Sequence, residues 1–331
     1  MDVPVELREQ VADLTRFLDS EVTHAPHGYE VLESRLDGLK LLTQRLERSG
    51  NFTPDQLLGL REWFRGETAA WLDRSPLMRR ARTWPEGYPG DYRTLEGVYA
   101  NTPAGDHVGQ LLDRYFLSRT LAVAVRSRCR HLSAALNTRA IEEAGDGLWL
   151  NLACGPCREM LGVVGPAGRR RVVCVDSDKN ALEHAAGLLS GHPLGEVQYV
   201  AENAYRLINP KRNRDRYGAF TTIYSAGLFD YIPDDKLAPL LEGLYESLAP
   251  GGVFLAPFKD RCRYETFDYH WLVSWHYFYQ RDESDFRRVF AVAGVPAEAI
   301  TVERDLTGVL LFFRVKRPDT KPSRMESSGD S

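Results

Sequence analysis

From Leu148 onward, short apolar runs typical of strands alternate with longer stretches of helical periodicity. The runs include LWLNLA, RVVCVD, VQYVAEN, FTTIYSA and VFLAPF. Alternation of this kind indicates a mostly parallel sheet that is covered by helices on both faces. Near the C-terminus, AITVERD and TGVLLFFRVK flank a turn too short for a parallel crossover, so they predict a hairpin. We therefore predict a doubly wound α/β fold whose seven-stranded sheet ends in an antiparallel C-terminal hairpin and follows an N-terminal helical domain.

The segment before this alternation is predicted to be helical, because leucines recur there every three or four residues and form one apolar face. The members of that face are Leu32, Leu36, Leu39, Leu42 and Leu46. A loop rich in Pro, Gly and Tyr follows, and then a helix predicted from about His107 to Leu136. The predicted organisation is a helical bundle over residues 1–80, a lid loop and connecting helix over 81–140, a Rossmann-like domain over 141–316 and a disordered tail over 317–331.

Composition excludes several classes of partner. The net charge of −4 and the pI of about 6.1 leave no basic footprint for nucleic acid or for an anionic membrane. No apolar run reaches the roughly 20 residues that span a bilayer, and MDVPVELREQ lacks a signal pattern. Five scattered cysteines are typical of free thiols in a reducing compartment. We expect a cytoplasmic protein without membrane insertion, and the N-terminal helices are compatible with a homodimer.

The most informative local pattern is LWLNLACGPCREML, which predicts a strand, a tight loop and a helix. Gly155 removes the side chain that would keep a ligand from the loop backbone. Twenty-one residues later the second strand ends in Asp176, where a carboxylate can accept both ribose hydroxyls of an adenosine. The loop has Ala153, Gly155 and Cys157 in place of three glycines, which argues against a dinucleotide. It suits a ligand without phosphate whose amino-acid end lies beside the loop.

Residues at the ends of later strands are predicted to continue this site, because ligands of open α/β sheets bind at the carboxyl ends of the strands. Asn203 follows the third strand and can present its amide to the adenine edge. The fourth strand ends in SAGLFD, residues 225–230, which we expect to form the floor beside the reacting group.

Four motifs, NLACGPCRE, VVCVDSD, AENAYRL and LAPGGVFL, together resemble the successive motifs of class I S-adenosylmethionine-dependent methyltransferases. GYPGDYRTLEGVY, YFLSRTLAVAVRSR, SAGLFDYIPD and the aromatic stretch ending in YQRDESDF are similar to one subfamily, the 3-hydroxypalmitic acid methyl ester biosynthesis proteins. The similarity covers roughly residues 82–316. It implies a methyltransferase that uses S-adenosylmethionine as its cofactor.

The resemblance also implies roles for individual residues. Asp176 is expected to bind ribose and Asn203 to lie near adenine, while Ala153 and Gly155 border the methionine moiety. Tyr88, Asp91 and Tyr92 are expected to fold over the cofactor, and Arg126 to pair with its carboxylate. Where the family usually has glycine, this chain has Cys157. The predicted cofactor-binding residues are Tyr88, Asp91, Tyr92, Arg126, Ala153, Gly155, Asp176, Ser177, Asn203, Ala204, Ser225 and Gly227.

The acceptor is predicted to be a small molecule, with a carboxylate or a lipid-like acid as the candidate. The aromatic stretch of residues 264–280, together with Tyr231, can form the wall of its pocket. A buried helix face is the competing interpretation for Phe267, Trp271, Trp275 and Phe278. A carboxylate is already a nucleophile at neutral pH, whereas a phenol or an amine needs a base such as a histidine. The predicted substrate-binding residues are Phe229, Tyr231, Tyr269, His270 and His276, and the catalytic candidates are Tyr231, His270 and His276.

Two cysteines three residues apart, Cys154 and Cys157, have the spacing of a redox pair or half of a zinc site. No second pair accompanies them in the sequence, so we predict no metal. Two other functions stay open. One is consumption of S-adenosylmethionine by a cyclase or an aminocarboxypropyl transferase, which releases methylthioadenosine. The other is a non-catalytic binding protein whose helical domain is the interaction surface.

Overall fold

The computed structural model of the chain describes residues 2–144, 146–164, 169–275 and 278–319. Its helices are α1 Val5–Leu18, α2 Gly28–Arg48, α3 Pro54–Leu72, α4 Pro76–Thr83, α5 Tyr92–Ala100, α6 His107–Ser118, α7 Thr120–Glu142, α8 Lys179–Leu188, α9 Pro210–Tyr217, α10 Asp234–Glu246 and α11 Glu283–Val292. Its strands are β1 Leu148–Leu152, β2 Arg171–Asp176, β3 Glu196–Ala201, β4 Phe220–Tyr224, β5 Leu248–Lys259, β6 Ile300–Arg304 and β7 Leu310–Lys316.

The seven strands form one sheet in the order β3-β2-β1-β4-β5-β7-β6. Strands β1 to β5 are parallel, and β7 pairs antiparallel with both β5 and β6. This confirms the predicted α/β class, the seven strands and the C-terminal hairpin. The chain runs outward from β1 to β3 and then returns to β4, so a topological switch point lies between β1 and β4. Ligands of open α/β sheets bind at such a point, beyond the carboxyl ends of the strands.

The chain divides into two compact units. The helical unit extends to Ser127 and also includes Arg261–Phe278, and the sheet unit comprises Arg128–Asp260 and the chain from Tyr279 onward. The aromatic stretch as far as Phe278 therefore belongs to the helical unit, although no feature of its sequence separates it from the sheet. Among the described residues, no helix combines the length and hydropathy that crossing a membrane requires.

The helical unit is built around the leucine face that the sequence predicts. Leu32, Leu36, Leu39 and Leu42 of α2 are all buried, with Leu46 partly so. Helix α3 begins with a capping box, in which the Thr53 hydroxyl accepts from the Gln56 backbone N–H and the Gln56 side chain accepts from the Thr53 N–H. Capping of this kind stabilises a helix start by about 1 kcal/mol.

Part of the core of the sheet unit comes from α10, whose apolar residues recur at helical spacing. The buried members of this face are Leu237, Ala238, Leu240, Leu241, Gly243, Leu244 and Tyr245. Burial of a leucine side chain contributes about 1.5–3 kcal/mol, so this face holds the helix on the sheet. The first residues of the predicted tail are ordered here, since Arg317 donates hydrogen bonds to the carbonyls of Glu246 and Leu248. Residues 320–331 lie outside the described part of the chain.

Two predicted helices differ from the structure. The single helix expected from His107 to Leu136 is two helices, α6 and α7, because Arg119 has extended backbone with ψ 156°. The helix expected after β1 is only the 3₁₀ turn Arg158–Gly162. The turn ends at Gly162 because Val163 has extended backbone. Gly162 also packs closely on α7, since a Cβ there would lie 2.8 Å from the Cβ of Ser133.

Candidate active site

The loop after β1 turns through three residues with left-handed backbone. The φ angles of Ala153, Gly155 and Cys157 are 50°, 52° and 55°. Glycine adopts this conformation without strain, whereas each of the other two residues costs roughly 1–2 kcal/mol. Strain of this kind persists where the surrounding structure fixes it, which is common beside ligand sites. The left-handed residues fold the loop tightly against the carboxyl end of β1.

Asp176 ends β2 beside this loop. Its Oδ2 accepts the Gly155 backbone N–H at 2.9 Å, and its Oδ1 accepts the Asp178 backbone N–H at 2.9 Å. A carboxylate offers about four lone-pair positions, so two remain for hydroxyl donors of a ligand. Burial is the largest cause that raises the pKa of Asp176; the backbone N–H groups oppose it, and the charge of Asp178 raises the pKa further. Ser177, between the two aspartates, is exposed.

Asn203 follows β3 at the same edge of the sheet. Its Oδ1 accepts the Tyr205 backbone N–H at 2.9 Å and caps the 3₁₀ turn Ala204–Ile208. With the oxygen so used, the other end of the side-chain amide is a donor, which suits a ring nitrogen of a base. The side chain of Asn203 is exposed, while Ala204 is partly buried against the core. Because β3, β2 and β1 are neighbours, Asn203, Asp176 and Gly155 share one edge, as predicted.

The segment after β4 contains a buried hydroxyl and a buried guanidinium. Ser225 is fully buried, and its Oγ has no hydrogen-bond partner in the described residues. Gly227 lies against Arg128 of α7, because a Cβ there would stand 2.7 Å from the arginine Nη1. Only 5% of Arg128 is exposed, and within the described ranges its Nε has no partner. The absence of a side chain at Gly227 leaves room for this guanidinium.

A buried ion pair completes the ends of β4 and β5. The Lys259 ammonium donates to Asp230 Oδ2 at 2.5 Å, and the ammonium also lies 5.5 Å from the centre of the Tyr231 ring. Burial lowers the pKa of Lys259; the charge of Asp230 opposes this, and the charge of Arg128 lowers the pKa further. Phe229 points into the core, where its ring contacts those of Phe254 and Phe258 at 5.6 and 5.8 Å between centroids.

One known family model matches the part of the chain that contains this edge of the sheet. Residues 150–252 match the family model described as "Methyltransferase domain". This part of the chain is similar to methyltransferase domains. The match begins within β1 and ends within β5, so it contains the loop after β1, Asp176, Asn203 and the segment after β4.

One solved structure has a similar fold over most of the chain, and two others are similar to a smaller part of it. A possible exported protein from Bordetella parapertussis is similar over 94% of this chain and 97% of its own, with 16% identity and a TM-score of 0.58. Magnesium protoporphyrin IX methyltransferase from Synechocystis matches 60% of this chain and 83% of its own, at 11% identity and a TM-score of 0.42. The 1,6-didemethyltoxoflavin-N1-methyltransferase of Burkholderia thailandensis matches 58% and 79%, at 16% identity and 0.41. No curated protein sequence matches the chain.

The protein is a methyltransferase, and its methyltransferase domain implies S-adenosylmethionine as the methyl donor. The described residues fit that group. Asp176 retains acceptor positions for two ribose hydroxyls, the loop after β1 carries no phosphate-binding glycine pattern, and Ser225 has a buried hydroxyl without a partner. When bound, the cofactor supplies an electrophilic methyl group on sulfur.

The raised pKa of Asp176 gives the methyltransferase domain a testable pH dependence. If Asp176 binds the ribose hydroxyls as predicted, its ionised carboxylate accepts them better than the acid does, so cofactor affinity should fall as pH drops through the raised pKa. The midpoint should lie above the 3.8 of an ordinary aspartate. Calorimetric titration with S-adenosylhomocysteine from pH 7 downward measures it, with folding followed by circular dichroism. Affinity that stays constant to the pH of unfolding would contradict the role of Asp176.

The predicted lid residues lie in the helical unit and have structural partners there. Asp91 is buried, caps α5 through the backbone N–H groups of Arg93 and Thr94, and pairs with Arg80 at 2.8 Å. Tyr92 is buried and Tyr88 is exposed. Arg126 donates to the Leu117 carbonyl at 2.8 Å. Their contact with the cofactor stays a prediction.

Two predicted acceptor residues of the aromatic stretch, Tyr269 and His270, also belong to the helical unit. Tyr269 and His270 are buried on the π-helical turn Phe267–Trp271, with ring centroids 4.6 Å apart. Phe267 and Trp271 pack on Phe64, which confirms the buried interpretation for these two rings. His276 lies outside the described residues.

Sequence reasoning missed two buried charged residues at this edge of the sheet, Arg128 and Lys259. Lys259 could have been predicted from the sequence, because it is a lysine at the end of an apolar strand and therefore lies at the edge of the sheet where ligands bind. Arg128 could not, because Arg126, Arg128 and Arg130 alternate along one helix and only the packing of α7 decides which guanidinium faces Gly227.

Proposed function

We propose that this methyltransferase esterifies a small acceptor with a carboxylate group, and that Arg128 binds the acceptor carboxylate beside the segment after β4. The observation that carries the proposal is the buried guanidinium of Arg128, which has no carboxylate partner among the described residues. An unpaired buried charge is strongly unfavourable, so such a group favours an anionic ligand.

The local charge balance supports an anion at this place. Lys259 and Arg128 supply two positive charges, and Asp230 supplies one negative charge, all in buried side chains. The pKa of Lys259 is lowered by burial and by the nearby guanidinium of Arg128, and the charge of Asp230 offsets this lowering only in part. One further negative charge would make the cluster neutral, and a carboxylate matches the planar fork of a guanidinium.

The order of the strands supports an acceptor rather than the cofactor as the source of this anion. We propose that Asn203, Asp176 and Gly155 bind adenine, ribose and the methionine moiety at the ends of the neighbouring strands β3, β2 and β1. The segment after β4 follows next along the edge, and beyond it stands Lys259 at the end of β5. An acceptor over β4 and β5 would thus approach the methyl group from the side opposite the adenosine.

The chemistry requires positioning and no general base. An ionised carboxylate attacks the methyl carbon in line with the departing sulfur, from about 3 Å. A carbon–oxygen bond forms, the carbon–sulfur bond breaks, and the two opposite charges are lost. Because the acceptor charge falls along the reaction, a contact to Arg128 is strongest in the ground state. It should therefore act on KM for the acceptor more than on kcat.

An acceptor panel tests the reaction class. With methyl-labelled S-adenosylmethionine, we expect label in short and long aliphatic acids and in their hydroxy derivatives, and none in the matched primary amides. The co-product should be S-adenosylhomocysteine. Methylthioadenosine as the co-product, or equal labelling of the amides, would overturn the carboxylate proposal.

Arg128→Ala tests the residue. We expect a roughly tenfold rise in KM for the accepted acid, because one charge-assisted contact is lost. Arg130→Ala is the matched control, since Arg130 is exposed on the same helix. Calorimetry with S-adenosylhomocysteine alone should be unchanged in both variants. If Arg128→Ala instead weakens that binding and leaves the acceptor KM unchanged, the guanidinium binds the carboxylate of the cofactor.

Other roles remain part of this proposal. The resemblance to the 3-hydroxypalmitic acid methyl ester biosynthesis proteins agrees with an acid as acceptor. Tyr88, Asp91 and Tyr92 are proposed as a cover for the cofactor, and Tyr269, His270 and His276 as acceptor contacts. We also propose cytoplasmic action and a homodimer through the helical unit, which light scattering on the purified protein tests.

A further inference from the structure

Three cysteine side chains meet behind the loop after β1. Cys154 and Cys157 come from the loop, and Cys174 comes from the middle of β2. Their Sγ atoms all lie within 4.8 Å of one another, and Cys157 and Cys174 are 3.9 Å apart. Each of the three is at most 1% exposed. The cluster belongs neither to the proposed acceptor site nor to the residues assigned to the cofactor.

Backbone hydrogen bonds hold the three cysteines of this cluster in place. The Cys154 N–H donates to the Val175 carbonyl at 3.1 Å, and the Cys157 N–H donates to the Cys154 carbonyl at 3.2 Å. These bonds attach the loop to β2 and close its turn. Cys174 pairs in register with Asn151 of β1. The three thiols therefore already lie together, and metal binding would require no movement of the main chain.

We propose that Cys154, Cys157 and Cys174 bind a thiophilic metal ion, for which Zn²⁺ is the natural candidate. Three thiolates at about 2.3 Å from zinc stand roughly 3.8 Å from each other, and the pair Cys157 and Cys174 already has this separation. All three Sγ atoms lie within 4.8 Å of one another, so the third sulfur needs to move by about 1 Å at most, which side-chain rotation can supply. Metal binding releases the protons of the thiols that are not ionised.

Asn151 supports the metal site independently. Its Nδ2 lies 3.4 Å from Cys157 Sγ and 3.1 Å from Glu159 Oε1, so it links the thiol cluster to a buried carboxyl. Its Oδ1 is buried and has no hydrogen-bond partner in the described residues. Amides and carboxyls that hydrogen-bond to ligand atoms orient metal sites, and the Nδ2 of Asn151 stands in that position toward Cys157.

The sequence could not reveal this site. Cys154 and Cys157 alone lack the partners of a zinc site, which is why no metal is predicted from spacing. The third thiol lies 17 residues after Cys157 and reaches it only because β2 pairs in parallel with β1. A bound metal would hold the left-handed loop after β1 in place. Metal binding would therefore affect the conformation of the loop beside the proposed cofactor site.

Cobalt titration of the reduced, metal-free full-length protein tests the proposal. Thiolate coordination gives an intense charge-transfer band in the near ultraviolet, and we expect it to saturate at one equivalent of Co²⁺ and to vanish on addition of Zn²⁺. Cys157→Ser and Cys174→Ser should each remove the band. Cys262→Ser is the matched control, because Cys262 is an exposed thiol, and it should keep the band.

The design separates loss of the site from loss of the fold. Far-ultraviolet circular dichroism and titration with S-adenosylhomocysteine are recorded on every variant, and Cys157→Ser decides if Cys174→Ser does not fold. A band that persists in a folded Cys157→Ser variant, or no band in the parent protein, would overturn the metal site. Neither result would bear on the esterification proposal, because the assay contains no acceptor and the cysteine variants leave Arg128 unchanged.

Discussion

Replacing Asp176 with alanine should weaken S-adenosylmethionine binding by about 1–3 kcal/mol, which is a roughly 5- to 150-fold rise in Kd. In the proposed cofactor site, the two ribose hydroxyls would lose their charged acceptor at the end of β2. The Gly155 N–H would lose its acceptor as well, so the loop after β1 would lose one of its bonds to β2. Calorimetric titration with S-adenosylmethionine and S-adenosylhomocysteine measures both contributions together.

Asp176→Asn separates charge from shape. Asparagine keeps one acceptor oxygen but turns an NH₂ group toward backbone N–H donors, so we expect a loss close to that of alanine. Asp215→Ala is the control, since Asp215 is an exposed aspartate of the same unit, on α9. Unchanged cofactor affinity in a folded Asp176→Ala protein would remove the basis for the whole adenosine assignment.

The position of Asp176 could be predicted because it depends on local patterns alone. An apolar run marks the strand, and the first polar residue after the run stands at the edge of the sheet. The same reasoning correctly predicts that Asn203 and Ser225 follow the next strands, and it predicts the hairpin of β6 and β7. The end of a strand can be predicted from nearby sequence. Parallel strands then bring their carboxyl ends to one edge of the sheet, whatever residues connect the strands.

The features that could not be predicted depend on packing between distant segments. Arg128 faces Gly227 because of how α7 lies on the sheet, and Cys174 meets Cys157 because of strand register. The break at Arg119 has no glycine or proline to mark it; the Arg119 side chain instead pairs with Glu33 at 3.0 Å and stacks on Tyr115. Ion pairs between distant segments leave no periodic trace in a sequence.

Replacing Asp268 with asparagine should stabilise the protein at pH 8 by about 2–4 kcal/mol. Burial raises the pKa of Asp268 from 3.8 to about 7, against the attraction of Arg119 and Lys40 and with added repulsion from Glu265 and Asp37. Its Oδ1 is buried and lacks a hydrogen-bond partner in the described residues. A rise of about three pKa units corresponds to roughly 4 kcal/mol for ionising this carboxyl inside the fold.

The sign of the pH dependence follows from proton binding. Between about pH 4 and pH 7 the folded protein holds a proton on Asp268 that the unfolded chain has lost, so the free energy of unfolding falls as pH rises. Above pH 7 both states are ionised and the contribution is constant. In Asp268→Asn this fall should disappear, because the amide does not titrate.

Urea unfolding at pH 5 and pH 8 measures the effect. The parent protein should lose stability between the two values relative to Asp268→Asn, while the exposed Asp55→Asn variant, also in the helical unit, should keep the parent difference. If Asp268→Asn destabilises the helical unit at pH 8, then Arg119 and Lys40 stabilise the ionised carboxylate more than burial penalises it. The buried segment around Asp268 would in that case be held to the helices by charge, and a neutral side chain there would release it.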